Sequence, residues 1–201
     1  MTQNSTPKIG IILSTTRQGR FSERVARWVH GIASARGDAE YEIVDLREFP
    51  LPFFDAVGSP RFVPVTDEEQ LRFTRRIAGY DGYIVVTAEY NHTVPAVLSN
   101  ALTYIFSEME HKPVAFAAYG TAGGARAVEH LRGLVVELSA VPTRLAIHIN
   151  MEPLIGMLRE GKDFGDYEYL APTATMMLDE LRWYTRTLKN GREAETGAQA
   201  A

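Results

Sequence analysis

Residues 14–22, "STTRQGRFS", gather hydroxyls at Ser14, Thr15, Thr16 and Ser22 and guanidiniums at Arg17 and Arg20 around a single glycine, Gly19. They follow the apolar run "KIGIIL" and lead into a helical pattern. Where a strand hands over to a helix, the unpaired N–H groups of the first helical turn already favour an anion. A dinucleotide-binding turn would carry G-x-G-x-x-G here, so that bare backbone approaches a diphosphate; this turn has no such pattern. Hydroxyls and arginines suit a terminal phosphate monoester instead, with roughly two charges near neutral pH. Each charge-assisted hydrogen bond to it contributes about 1.5–3 kcal/mol. A plainer reading of the same residues stays open, in which Ser22 caps the helix and Arg17 and Arg20 are solvated.

Two later segments complete the set of candidates. "TAEYNHTVPAVLSNAL" spans 87–102 and "YGTAGGARAVEHLRGLVVEL" spans 119–138. In the second, Gly120, Gly123 and Gly124 permit positive φ or a close backbone approach to a flat ligand. Tight packing of helix on strand would explain the same glycines.

The elements that must position these segments are legible as alternating patterns. "KIGIIL" (8–13), "YEIVDL" (41–46), "GYIVVT" (82–87), "PVAFAAY" (113–119) and "RLAIHI" (144–149) read as five strands. Most are nearly continuous apolar runs, as parallel strands covered on both faces require. Between them Phe21, Val25, Trp28 and Ile32 recur at helical spacing, as do Val128, Leu131, Leu134 or Val135, and Leu138, and finally Met177, Leu181, Tyr184 and Leu188. "TDEEQLRFTRRIAG" opens with a capping box, Thr66 with Glu69, and Thr93 is placed to cap the helix "VPAVLSNALTYIF". Such alternation predicts an α/β fold: a doubly wound, five-stranded parallel sheet with helices on both faces. The three candidate segments then leave the carboxyl ends of neighbouring strands and converge on one cleft. Residues 1–190 are expected to form one domain, and 191–201 a frayed tail without apolar periodicity. One long irregular connection, 48–65, carries Phe49, Phe53, Phe54 and Phe62 with several prolines; loops of that length in compact domains usually serve function.

Composition narrows the rest. The 201 residues carry a formal net charge of -4 and a pI near 5.8, which disfavours a nucleic-acid partner. There are no cysteines, so disulfides, thiolate metal sites and cysteine nucleophiles are excluded. Histidines at 30, 92, 111, 130 and 148 offer no pair at helical ligand spacing, and no metal site is expected. "MTQNSTPK" lacks a basic start and an apolar core, so no secretion signal is expected. No apolar run approaches the roughly 18 residues of a membrane span. A cytoplasmic location follows as the expectation.

Taken together, the three segments resemble the NADPH-dependent FMN reductase family. That family reads G-S-x-R at the first turn, P-E-Y-N-x-S/T-x-P-x-x-L-K-N-A after the third strand and G-x-x-G-G-x-R-A after the fourth. Here the corresponding stretches are "STTRQGR", "AEYNHTVPAVLSNA" and "GTAGGARA". Ser14, Thr15, Ala88 and Ser99 stand where glycine, serine, proline and lysine are usual. The resemblance implies a flavodoxin-like fold and FMN as cofactor. It puts Thr15, Arg17, Arg20 and Ser22 around the FMN phosphate. Glu89, Tyr90, Asn91 and Thr93 would line the isoalloxazine and ribityl chain, with Gly120, Gly123 and Gly124 on the ring's other side. The implied activity is that of an FMN-dependent oxidoreductase, in which flavin N5 takes a hydride from NADPH or NADH for a second acceptor. That acceptor would be a quinone, a flavin, an azo compound or a metal oxyanion. No side chain is needed as catalytic acid or base for the first step. A flavodoxin-like electron carrier, or a flavin-binding module without NAD(P)H activity, remains the alternative. A homodimer or homotetramer is expected, because the aromatic rings at 49–62 would leave an apolar patch on a monomer.

Overall fold

A computed structural model describes residues 5–199; residues 1–4, the start of the segment read for a secretion signal, lie outside it, as do Ala200 and Ala201. Five strands, β1 (Lys8–Leu13), β2 (Glu40–Asp45), β3 (Gly82–Ala88), β4 (Pro113–Tyr119) and β5 (Val141–Ile149), form one sheet in the order β2-β1-β3-β4-β5. Every pairing is parallel, with Ile11 of β1 set between Ile43 of β2 and Ile84 of β3. This is the flavodoxin-like order, whose switch point lies between β1 and β3. β3 and β4 are buried along their whole length, which is why they read as unbroken apolar runs.

Six helices cover the sheet: α1 (Ser22–Ser34), α2 (Glu68–Ala78), α3 (Ala96–Thr103), α4 (Ala125–Glu137), α5 (Met151–Arg159) and α6 (Leu170–Gln199). Alternate strand residues feed two cores. Ile9, Ile11, Ile84 and Val86 meet Val25 and Val29 of α1 and Met177 and Leu181 of α6. On the other face Ile12, Val85 and Phe116 meet Ile77 of α2, Leu98 of α3 and Leu131 of α4. Trp28 packs as its place in the helical stripe predicts, stacked on Phe164 at 4.5 Å. Trp183 is 62% exposed on α6.

Several boundaries differ from expectation for identifiable reasons. β5 begins at Val141, three residues early, with a register irregularity between Val114 and Phe116 on its neighbour. Asp67, and not Thr66, caps α2, its carboxylate accepting the Gln70 N–H at 3.0 Å; the shorter reach of Asp67 from the adjacent position wins the orphan donor. α5 carries no long apolar stripe and was not anticipated. α6 continues through Gln199, over most of the stretch expected to fray: Ala, Glu and Arg favour helix, and extending a formed helix is far easier than nucleating one. In the 48–65 connection Phe49 is buried against Phe73, and Phe54 meets Tyr104 edge-on. Asn100 and Tyr104 both donate to the Pro52 carbonyl and pin that base. Phe53 and Phe62 stay 83% and 78% exposed.

Candidate functional site

At the end of β1 the Ser14 N–H still donates to Val86 of β3, at 3.1 Å, and then the chain turns over the sheet edge. Gly19 supplies a positive φ of 62°, which lets the turn close before α1. The Thr15 and Ser22 hydroxyls, seven residues apart, meet at 2.7 Å in the interior. Ser22 is therefore the first residue of α1 and the partner of Thr15, and makes no cap hydrogen bond at the helix start.

The two arginines of the turn part company. Arg20 points inward, with only 1% of its side chain exposed. Its guanidinium grips both carboxylate oxygens of Asp45, donates to Glu23 at 3.0 Å and to the Thr15 carbonyl. It is thus a brace of the turn, held by Asp45 at the end of β2. Arg47, two residues further, braces the same turn from outside: it donates to the carbonyls of Thr16, at 2.9 Å, and Arg17, and pairs with Glu23 at 3.1 Å. Burial pushes the Asp45 carboxyl up, but the Arg20 hydrogen bond and the Arg47 N–H outweigh it and hold it below the usual carboxylate range. Arg17, by contrast, is exposed, has no carboxylate within 4.0 Å among the described residues, and lies over the Tyr90 ring at 5.6 Å.

After β3, Tyr90 and Thr93 exchange both backbone hydrogen bonds at 3.0 Å. Asn91 and His92 between them hold φ of 50° and 64°, as a type I′ hairpin turn requires. This corrects the expected cap at Thr93: α3 starts two residues later, behind Pro95, and the Thr93 hydroxyl instead meets His130 Nδ1 on α4 at 2.6 Å. Glu89 is tied to the other loop. Its carboxylate, 5% exposed, accepts the Arg126 N–H at 3.1 Å and Nε–H at 2.7 Å, and so caps the start of α4. Burial raises its pKa, and the stronger pull of Arg126 leaves it below the ordinary range.

The glycine loop 120–124 is shaped by β5. Gly123 and Gly124 have φ of 63° and 72°; a Cβ on Gly123 would strike the Asn150 side chain, and one on Gly124 would sit 2.6 Å from Ala118. His148 Nδ1–H donates to the Gly123 carbonyl at 3.0 Å. Gly120 lies beside Glu89, whose N–H joins the loops through the Tyr119 carbonyl at 3.1 Å. Packing and backbone conformation thus account for these glycines, and the loop they form stands beside the Tyr90 hairpin. Asp45, Arg47, Tyr119, His148 and Asn150 all escaped sequence reasoning. Their partners lie 24 or more residues away along the chain, or are backbone atoms, and neither leaves a local signal.

Among the described residues, three buried hydroxyls around this cleft have no hydrogen-bond partner: Ser14 Oγ, Tyr90 OH and Tyr119 OH. Buried polar groups are almost always paired. Donors left over beside an uncommitted Arg17, at the N-terminus of α1, fit a phosphate group with several acceptor oxygens. The residues present therefore suit the phosphate end of FMN.

The fold and this site define a flavodoxin-like α/β protein with a donor-rich turn at its switch point. The family model for NADPH-dependent FMN reductase matches residues 7–151. The chain is 36% identical over 149 residues to the NAD(P)H-dependent FMN reductase ntnL of Nectria sp, covering 70% of this chain and 74% of that one. It is 32% identical over 137 residues to a quinone reductase of Escherichia coli, covering 65% and 70%. In structure it is similar to FerB, a flavoenzyme NAD(P)H:(acceptor) oxidoreductase from Paracoccus denitrificans, with a TM-score of 0.68 at 19% identity over 89% of this chain and 99% of that one. This chain belongs to the NADPH-dependent FMN reductase family, oxidoreductases that use FMN with NAD(P)H as co-substrate.

Proposed function

We propose that the chain binds FMN in the cleft between its first turn and the Tyr90 and Gly123 loops, and delivers reducing equivalents from NADPH or NADH to a quinone. The observation that carries this reading is the uncommitted Arg17 among partnerless buried hydroxyls at the carboxyl ends of β1, β3 and β4. When bound, FMN supplies the redox chemistry by accepting a hydride and passing it on. The chain's own residues bind and orient. Arg17, Thr15, Ser22 and the first N–H groups of α1 hold the phosphate, while Arg20 acts through the shape of the turn. Backbone groups of Tyr90, Asn91 and Thr93 border the ring system on one side, and Gly120, Gly123 and Gly124 on the other. Glu89 sets the spacing of these two loops by holding α4. Its carboxylate is tied to Arg126 and that of Asp45 to Arg20, so neither is assigned as a catalytic acid or base. The similarity to a quinone reductase supports the choice of acceptor.

A second copy of the chain is the proposed partner. Phe53, Val57 and Phe62 project from the 48–65 connection beside a groove lined by Phe106, Leu134, Arg61 and Glu137. Rings on one copy and a groove on the other, with a cation and an anion on the same face, suit a two-fold contact. Light scattering at micromolar concentration should give twice 22.4 kDa or a multiple; a monomer would end this part of the reading. A cytoplasmic location is part of the same reading, and among the described residues no helix is long and apolar enough to cross a membrane.

The deciding experiment is anaerobic. NADPH or NADH alone should bleach the absorbance of the bound flavin, and a quinone should restore it. Reduction by a reductase protein but not by pyridine nucleotide would favour an electron carrier instead.

A further inference from the structure

Tyr119 ends β4, in register with Ala88 on one side and Ile149 on the other. It is 4% exposed, and its ring stands edge-on to Phe21 at 5.3 Å, with Phe21 immediately preceding Ser22 at the start of α1. The packing of the ring is complete without its oxygen. Yet the phenol O–H is buried and, among the described residues, has no partner at full hydrogen-bond geometry, the Thr15 and Ser22 hydroxyls reaching it only loosely; a buried polar group so left costs about 1–3 kcal/mol. A phenylalanine would fill the same space without it.

The surroundings of that oxygen are specific. The hydroxyls of Thr15 and Ser22 come close enough to draw its pKa down, and Arg17 and Tyr90 act on it through charge. Burial pushes its pKa above the ordinary tyrosine value, more than these neighbours draw it down. The phenol therefore keeps its proton at neutral pH and can act only as a neutral O–H toward an anion. It sits where the N–H groups of a 13-residue helix also converge.

Granted the FMN site proposed above, we infer that Tyr119 is a specificity-determining residue of this chain: its hydroxyl donates from beneath the first turn to the cofactor's phosphate and selects FMN over riboflavin. The sequence motifs of the turn do not contain it. It reaches the site because β4 lies beside β3, which lies beside β1, and the carboxyl ends of all three point the same way.

The test is Tyr119→Phe in the full chain, with FMN and riboflavin titrated separately by flavin fluorescence and the melting temperature of the flavin-free protein recorded. FMN should bind about tenfold more weakly, the scale of one hydrogen bond to a charged group, while riboflavin binding is unchanged. The flavin-free variant should melt at the same temperature as the wild type or above it, because a partnerless buried hydroxyl is gone. Inorganic phosphate serves as a second probe: it should raise the melting temperature of the wild type more than that of the variant. Undiminished preference for FMN in the variant would overturn the role of Tyr119 while leaving the phosphate site standing. Equal losses for both flavins, or a lowered melting temperature, would show a packing role and overturn it too. A wild-type chain that binds both flavins equally would overturn the phosphate site itself, and this inference with it.

Discussion

The two ends of the sheet bury charge in the same way and finish differently. At the amino end Asp81 pairs with Lys189 at 2.8 Å and Arg192 at 3.0 Å and accepts the Lys8 N–H at 3.1 Å. Lys189 then reaches Ser5, and Arg192 the His111 carbonyl. The network closes on itself and staples α6 to β1. At the carboxyl end Arg20, Asp45, Glu23 and Arg47 form a comparable closed set. Immediately outside it, however, Arg17 has no anion and three hydroxyls have no partner among the described residues. Buried ions are tolerated when fully paired. Polarity left over after that pairing is what separates a binding end from a purely structural one.

The largest expected effects come from opening each network. Asp45→Ala would leave Arg20 buried without its main partner, and Asp81→Ala would do the same to Lys189; each should lower the unfolding free energy by about 3 kcal/mol in urea titrations. Only Asp45→Ala should also weaken FMN, because only that network shapes the phosphate turn. An equal loss of FMN binding in both variants would erase the distinction between the ends.

Acid should reveal both networks together. Burial raises the carboxyls of Asp45 and Asp81, but Arg20 and Lys189 respectively draw them below the ordinary range. A depressed folded pKa means stability that is fully present above the unfolded value, about 3.9, and lost as pH falls through it toward the folded value. Wild type should therefore weaken below about pH 4, and Asp81→Asn should flatten that slope. A slope unchanged in Asp81→Asn would show that Asp81 carries none of it.

Arg17→Ala tests the polarity that is left over. FMN should bind roughly 10- to 100-fold more weakly, with riboflavin binding and the urea midpoint unchanged. A matching loss of riboflavin would mark Arg17 as structural through its contact with Tyr90. The smallest effect belongs to His148→Phe, which removes the donor to Gly123 and should lower stability by about 1 kcal/mol. Hydrogen exchange should quicken locally over 120–124; exchange spread evenly over β4 and β5 would mean that the strand itself had loosened.

How far these features were legible depends on the distance over which each is decided. β1, β3 and β4 were readable to within a residue, because burial on both faces writes a continuous apolar run. The donor-rich turn and the order of the loops around the cleft were readable for a similar reason. Arg20 shows where this stops. Beside Arg17 in a nine-residue stretch it looked like a second ligand, and nothing local distinguishes the two. Asp45, 25 residues on, claims one and leaves the other. Thr93 is similar: a threonine before a proline and an apolar run looks like a cap, until a two-residue turn rotates it toward His130. Trp183 stands one residue before Tyr184 of the last helical stripe, and that one step of helical rotation leaves it exposed.

By itself the sequence determined the class of fold, the alternation of strand and helix, and the kind of chemistry the first turn can offer, because apolar periodicity and residue type are local properties. The tertiary structure alone decided that Arg20 is spent on holding the turn while Arg17 has no carboxylate among the described residues. It also left the hydroxyls of Ser14, Tyr90 and Tyr119 buried and without hydrogen-bond partners among the described residues. Both depend on strand order and register, which bring residues 15, 45, 90 and 119 together only once the parallel sheet has formed.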